Sequence, residues 1–474
     1  MGRFTGNSGT AVVCVAQFVV VLDVTIVTTA LPAIRTALGF APVDLPWVIT
    51  AYTLVLGALL VAGGRIADLL GPRRAFRLGL AVFVTGSAAC ASAWSPAALI
   101  AARVVQGLGA ALLSPAALAL LTTLSEPGPR RRRAVGWWTA AAASGGASGW
   151  VLGGLLTEYF GWRTVFWVIV PIGLVALAAA PRMLPAGDRR RGAGLDLPGA
   201  LAATAALGLL VWGLTSAAER GLPAVTSWVP LLLATGATGI LVRHLRHAAD
   251  PLVPPRLLRS RAVAGANLTA LLLTATTTPA MYLSTLYVQQ VLGLSPARAS
   301  LLFPVFNVGV IAGSLAGPVA LRRIGARHTL LAGFAGVGAG AVLLATLPGG
   351  GMPVGRLLAA FAVLGTGLGG ASVASTHAGT EAAEPEHQGV AAGVLNSAAQ
   401  IGTALGLAIL VPFADSVRAG FLGTGALALA GLVTSLLLPS RGSGRTPAGS
   451  AFKASGPVAR DLPSTRPFAG PPRQ

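Results

Sequence analysis

Apolar residues dominate long stretches of the chain, and the polar residues between them come in short clusters. A membrane-spanning helix needs about 20 consecutive, mostly apolar residues. On that basis the pattern predicts spans over 11–33, 46–66, 76–94, 97–123, 134–156, 163–181 and 197–217. A second set follows over 226–243, 262–286, 297–321, 328–347, 354–378, 389–412 and 419–438. After residue 440 the chain is rich in Gly, Pro and Ser, which predicts a disordered tail.

Composition agrees with the pattern. Of the 474 residues, 54% are hydrophobic and 10% charged; about 25% charged is usual for soluble domains. So few charges cannot cover a water-facing surface. The first apolar run is full length and ends at Leu31-Pro32, so it predicts a span rather than a cleaved leader. Cys14 and Cys90 both lie within apolar runs and read as inert core thiols.

The formal net charge of +20 would suggest nucleic acid in a soluble protein. Here its placement gives another meaning. With the N-terminus placed inside, 26 Lys and Arg fall in the inner loops and tail, and six fall outside. That asymmetry predicts both termini in the cytoplasm and removes the need for a nucleic-acid partner. Gly71-Pro72-Arg73-Arg74 after the second span and Arg322-Arg323-Ile324-Gly325-Ala326-Arg327 after the tenth hint at a duplication. Six spans then lie on either side of an inserted pair. The predicted units are 1–181 and 262–440, a linker with two extra helices over 182–261, and a tail over 441–474.

Thirteen of the fourteen acids fall in loops or at span ends, leaving Asp23 near the middle of the first span. A charged carboxyl there costs at least about 2.5 kcal/mol, so such residues mark function or a built-in partner. Proton carrier, substrate counter-ion and structural partner of an arginine all remain open for it. Arg103 lies about 9 Å into the fourth span and Asp23 about 15 Å into the first, at 1.5 Å per residue from the same side. The difference is within an arginine's reach, and Gln106 shares the face of Arg103. A structural lock and direct substrate contact are equally good accounts of the pair.

Gly145, Gly149 and Gly153 recur at intervals of four, with Gly154 beside them. The stripe allows close helix packing, and equally a sliding surface. In the second half, Asn267, Tyr282, Phe306, Asn307, Asn396 and Gln400 are uncharged polar or aromatic groups within spans. Together with Gln106 they suit an amphiphilic organic ligand, and singly they suit interhelical hydrogen bonds. The sequence holds no phosphate loop and no metal-spaced His/Cys set, so it predicts no ATP use, no metal and no enzyme.

Several motifs together resemble the major facilitator superfamily, in particular its fourteen-helix drug:proton antiporter branch. Leu22-Asp23-Val24-Thr25-Ile26-Val27 through Ala30-Leu31-Pro32 resembles that branch's first-helix signature. Gly64-Arg65-Ile66-Ala67-Asp68-Leu69-Leu70-Gly71-Pro72-Arg73-Arg74 resembles the superfamily's loop motif after the second helix. Arg103 to Gly109, Trp162-Arg163 through Phe166, Pro171-Ile172-Gly173 and Gly389 to Leu410 resemble further helix motifs.

The resemblance implies an all-α fold of 14 transmembrane helices arranged 6+2+6, and a monomer in the cytoplasmic membrane. It implies export of a small organic compound driven by the proton gradient, with no cofactor. A uniporter or importer of a small metabolite is the alternative on the same fold. Gly64, Asp68, Gly71, Arg73 and Arg74 would form a conformational latch, and Asp23 and Arg103 would couple proton entry to substrate exit. Two departures stand out. Trp150 follows Gly149 where the antiporter motif has a proline, and Arg322 stands where an acid is expected. The second half has no mid-span acid, which predicts neutral, zwitterionic or weakly basic substrates rather than dications.

Overall fold

The computed structural model describes residues 2–125, 129–185, 196–220, 224–248, 257, 260–347, 354–381, 388–413 and 416–436. The predicted tail, and the linker stretch 186–195, lie outside the described residues. Every regular element among the described residues is helical.

Seven helices precede the inserted pair: α1 (Gly2–Leu38), α2 (Trp47–Leu70), α3 (Pro72–Ala91), α4 (Pro96–Leu124), α5 (Pro129–Phe160), α6 (Thr164–Trp167) and α7 (Ile169–Met183). The pair is α8 (Leu197–Arg220) and α9 (Val225–His247). Six helices follow: α10 (Arg261–Leu286), α11 (Pro296–Ser300), α12 (Pro304–Ala345), α13 (Val354–Glu381), α14 (Gln388–Leu410) and α15 (Val417–Leu436). A π-helical turn, Tyr287–Val291, continues α10.

Local sequence sets the breaks. Ser95 caps α4 by accepting the Ala98 N–H, with Pro96 in the first turn, and Ser295 caps α11 from the Arg298 N–H ahead of Pro296. Gly71 separates α2 from α3 at φ 85°, a conformation that costs glycine nothing. Gly325 sits at φ 82° inside α12 and turns its direction. The stretch Arg322–Arg327, expected as a loop, is therefore helical apart from one glycine. Gly71 and Gly325, one in each of the two basic stretches, hold like backbone geometry.

Among the described residues eleven helical stretches are long and apolar enough to cross a bilayer. One of them, Pro296–Ala345, contains the turn at Gly325. Helices α5 and α10 are not among the eleven: α5 is diluted by glycine and serine, α10 by threonine. Both pack along most of their length, α5 on α1 and α10 on α14, so neither needs a fully apolar surface.

Packing separates into two sets. In the first, α1 lies on α5 and α7, α4 on α2 and α3, and α3 on α7; in the second, α13 lies on α12, α14 on α10, and α15 on both α12 and α10. The sets meet where α2 runs along α14 and where α5 runs along α11 and α12. Helices α8 and α9 pair with each other, and α8 leans on α2 and α14. Asp196 closes that hairpin: it accepts the Gly199 N–H at the start of α8 and pairs with His244 of α9 at 2.5 Å.

Candidate functional site

Asp23, Arg103 and Gln106 have no exposed surface and form one hydrogen-bonded unit between α1, α3 and α4. The Arg103 guanidinium donates through Nη1 to Asp23 Oδ2 at 2.6 Å and to Gln106 Oε1 at 2.7 Å. Its Nε donates to the Val48 carbonyl at 2.7 Å. The Gln106 amide donates to the other carboxylate oxygen of Asp23 at 2.7 Å and to Ser87 Oγ at 2.8 Å. The guanidinium sits over the Tyr52 ring, 4.4 Å from Cζ to the ring centroid.

The sequence explains why these groups meet. Arg103 and Gln106 are three apart on α4, so they present one face to α1. Gly107 brings α4 against α2, where a β-carbon would lie 2.8 Å from the Tyr52 carbonyl. Gly86 does the same for α3, leaving room for Gln106 itself. A buried ion pair is retained only with its remaining donors and acceptors satisfied. Here both carboxylate oxygens and two of the three guanidinium nitrogens are bonded, while Nη2 finds no partner. In this conformation none of the three side chains is open to solvent.

The glycine stripe of α5 faces α1. Gly145 meets the Phe18 carbonyl, Gly149 the Thr25 hydroxyl and Gly153 the Thr29 hydroxyl. Gly154, beside the stripe, faces the other helix set and leaves no room for a β-carbon against Ser300 and the Pro296 carbonyl.

That same side of α5 forms a seam with α11 and α12. Asn307 donates to the Gly146 carbonyl at 3.5 Å. One turn on, Trp150 stacks on Phe303 with centroids 4.5 Å apart, and Phe303 stacks on Phe361 at 5.3 Å. At the helix end, Glu158 accepts the Ala297 N–H at 2.8 Å. The Ser295 hydroxyl, and after it this amide, hold the exposed Glu158 carboxyl below its ordinary pKa. Gln289 adds a bond to the Thr29 carbonyl at 3.0 Å. The seam is thus closed at the end that carries the α1–α2 connection.

The other expected residues are dispersed. Arg73 donates to the Pro181 carbonyl, Arg74 is exposed and Asp68 half-buried. Among the described residues no ion pair joins Asp68 to either arginine. Gly64 is half-buried near Pro115. Asn267 bonds within its own helix, to Val263, while Tyr282, about 22 Å along the same helix, is fully buried. Phe306 is buried and Asn396 exposed, and Gln400 packs against Gly57 across the α2–α14 contact. Of the expected cavity residues, Asn307 and Gln400 contact the other helix set. Ser87, Tyr52 and Glu158 belong to the network and seam without having been singled out from the sequence.

Apolar helices enclosing a charged network at depth, in two sets joined along a seam, define a polytopic membrane transporter. The family profile described as Major Facilitator Superfamily matches residues 13–407 and 266–463. The cephamycin export protein of Amycolatopsis lactamdurans is 41% identical over 88% of this chain and 86% of its own. The puromycin resistance protein of Streptomyces alboniger is 37% identical over 87% and 83%. The tetracenomycin C resistance and export protein of Streptomyces glaucescens is 33% identical over 84% and 74%. Among solved structures, a POT family transporter in complex with 5-aminolevulinic acid superposes with a TM-score of 0.69 at 14% identity, covering 90% of this chain and 95% of that one. A peptide transporter POT in complex with sulfate gives 0.67 at 18%, covering 90% and 93%; at these identities the likeness is one of fold. The chain belongs to the major facilitator superfamily, and it is a multi-pass membrane transporter, not an enzyme.

Proposed function

We propose that the chain is a proton-coupled exporter of amphiphilic organic compounds, antibiotics or a cell's own products, working by alternating access in the cytoplasmic membrane. One observation carries the proposal: Asp23, a carboxylate at the middle of a membrane helix, is held by Arg103 and Gln106 without exposure. A group so placed can exchange its proton only when the helices around it move, which ties protonation to conformational change. The named relatives export or confer resistance to antibiotics, which supports this direction of transport.

Fourteen crossings with both termini inside form the frame. The eleven apolar stretches, the division at Gly325, and the packed helices α5 and α10 support that count. The arginine asymmetry supports the orientation. Residues 1–181 and 262–440 then act as two bundles that rock about the seam, with 182–261 as an added hairpin. The seam closes the outer end here, and the protein works as a monomer. Gly64, Asp68, Gly71, Arg73 and Arg74 form the inner latch, which engages when the inner end closes. The proton gradient is the energy source, and no cofactor takes part. In reconstituted vesicles, gradient-driven uptake is lost in Asp23→Asn while the folded protein is recovered. Uptake that stayed gradient-driven in that variant would exclude Asp23 as the coupling group.

A further inference from the structure

Trp150 is 3% exposed, and its indole N–H has no hydrogen-bond partner. Buried tryptophan usually pairs this donor, and leaving it bare costs as much as a lost hydrogen bond. The ring lies in the seam between the two helix sets, stacked on Phe303 at 4.5 Å and 15°. Phe303 in turn stacks on Phe361. The closed end is therefore sealed by an aromatic stack that carries an unsatisfied polar group within it.

We infer that Trp150 is the gating residue of this end of the transport path: its ring makes the seal, and its unpaired N–H makes the seal reversible. The donor is satisfied only when the helix sets part, by water or by a hydrogen-bond acceptor on the passing compound. Stacking favours the closed form and the bare donor opposes it, so neither state is a trap. The inference rests on the alternating-access proposal above, but it concerns the balance of two states rather than proton coupling.

The test separates ring from donor in the full chain. Replacing Trp150 by benzothienylalanine keeps the bicyclic ring and deletes the N–H. Trp150→Ala deletes both. Spin labels at Ser92→Cys and Thr346→Cys, both exposed and at the closed end, report its opening by pulsed dipolar spectroscopy in nanodiscs. Cys14 and Cys90 are replaced by alanine, and Glu158→Gln is included to populate the open form. The benzothienyl variant should raise the closed-to-open ratio about five-fold, as a relieved unpaired donor requires. Trp150→Ala should lower it. An unchanged or lowered ratio in the benzothienyl variant overturns the role of the N–H, and a single distance in every variant overturns the gate itself. Proton-driven uptake by the Trp150 protein, measured alongside, decides the exporter proposal separately.

Discussion

At the scale of single residues, the decisive feature is that Asp23 and Arg103 neutralise each other where neither could stand alone. Removing one partner of a buried pair leaves an uncompensated charge and costs about 3–5 kcal/mol, whereas removing both can be nearly neutral. Arg103→Met should therefore lower the unfolding temperature in detergent far more than Asp23→Asn with Arg103→Met together. A double variant no more stable than Arg103→Met would show that the network is not held by charge pairing. Gln106→Leu should fall between, because it strips one bond from Asp23 and leaves the Ser87 hydroxyl without that partner. The pair was legible in the sequence, since depth along two helices places both groups at similar height. Gln106 was legible as a face-mate of Arg103, though not as the group that bridges Asp23 to Ser87. Tyr52 and Ser87 carried no such signal, because a tyrosine or serine within an apolar run looks the same whether or not it meets a charge.

Helices were legible to the extent that each buries its surface in lipid or in a neighbour. The apolar pattern located most of the helices within a few residues, while α1 begins nine residues before its predicted span. The sixth span is one apolar stretch, Thr164–Met183, with a slight break after Trp167, and the tenth and eleventh meet at the non-helical Gly325. The glycine stripe of α5 was read as a contact surface, and its partner, α1, appeared only in the structure. The kind of atom each glycine faces sets the cost of filling it. A β-carbon on Gly145 would sit 2.5 Å from the Phe18 carbonyl, which is backbone and cannot turn aside. A β-carbon on Gly149 would collide first with the Thr25 hydroxyl, which is removable. Gly149→Ala should thus lose stability, and Thr25→Ala should restore about half of the loss, as coupled neighbours do. Gly145→Ala should gain nothing from Thr25→Ala. Melting curves of the unaltered protein, the three single variants and the two doubles decide this, and equal rescue at both glycines would refute the assignment.

For the whole molecule, the contacts that matter join segments more than a hundred residues apart, and no periodicity announces them. Glu158 read as an ordinary acid at a span end, yet it ties α5 to the start of α11 across the seam. The tie is a charge-assisted bond to a backbone amide, so its dependence on pH has a definite sign. The hydroxyl of Ser295 and the amide of Ala297 hold the carboxyl below its usual value in the closed form. When the end opens, those donors are withdrawn and the pKa returns to the ordinary glutamate value. A group whose pKa is depressed in one state stabilises that state above the normal pKa, and the benefit disappears as pH falls through the depressed value. The Glu158 contribution to closure should accordingly be constant across the neutral range, where its carboxyl is charged in both forms, and should be lost only in the acid range. Glu158→Gln should mimic the acid limit at every pH, because an amide oxygen accepts the Ala297 N–H without the charge. Spin-label distances across the closed end, followed from neutral to acid pH in both proteins, test this. A wild-type opening transition centred near neutral pH would show that another group governs the seam. Loss of such a neutral transition in Asp23→Asn, with Glu158→Gln leaving it in place, would assign proton sensing in the working cycle to Asp23 and leave Glu158 a fixed tie that the rocking motion must break.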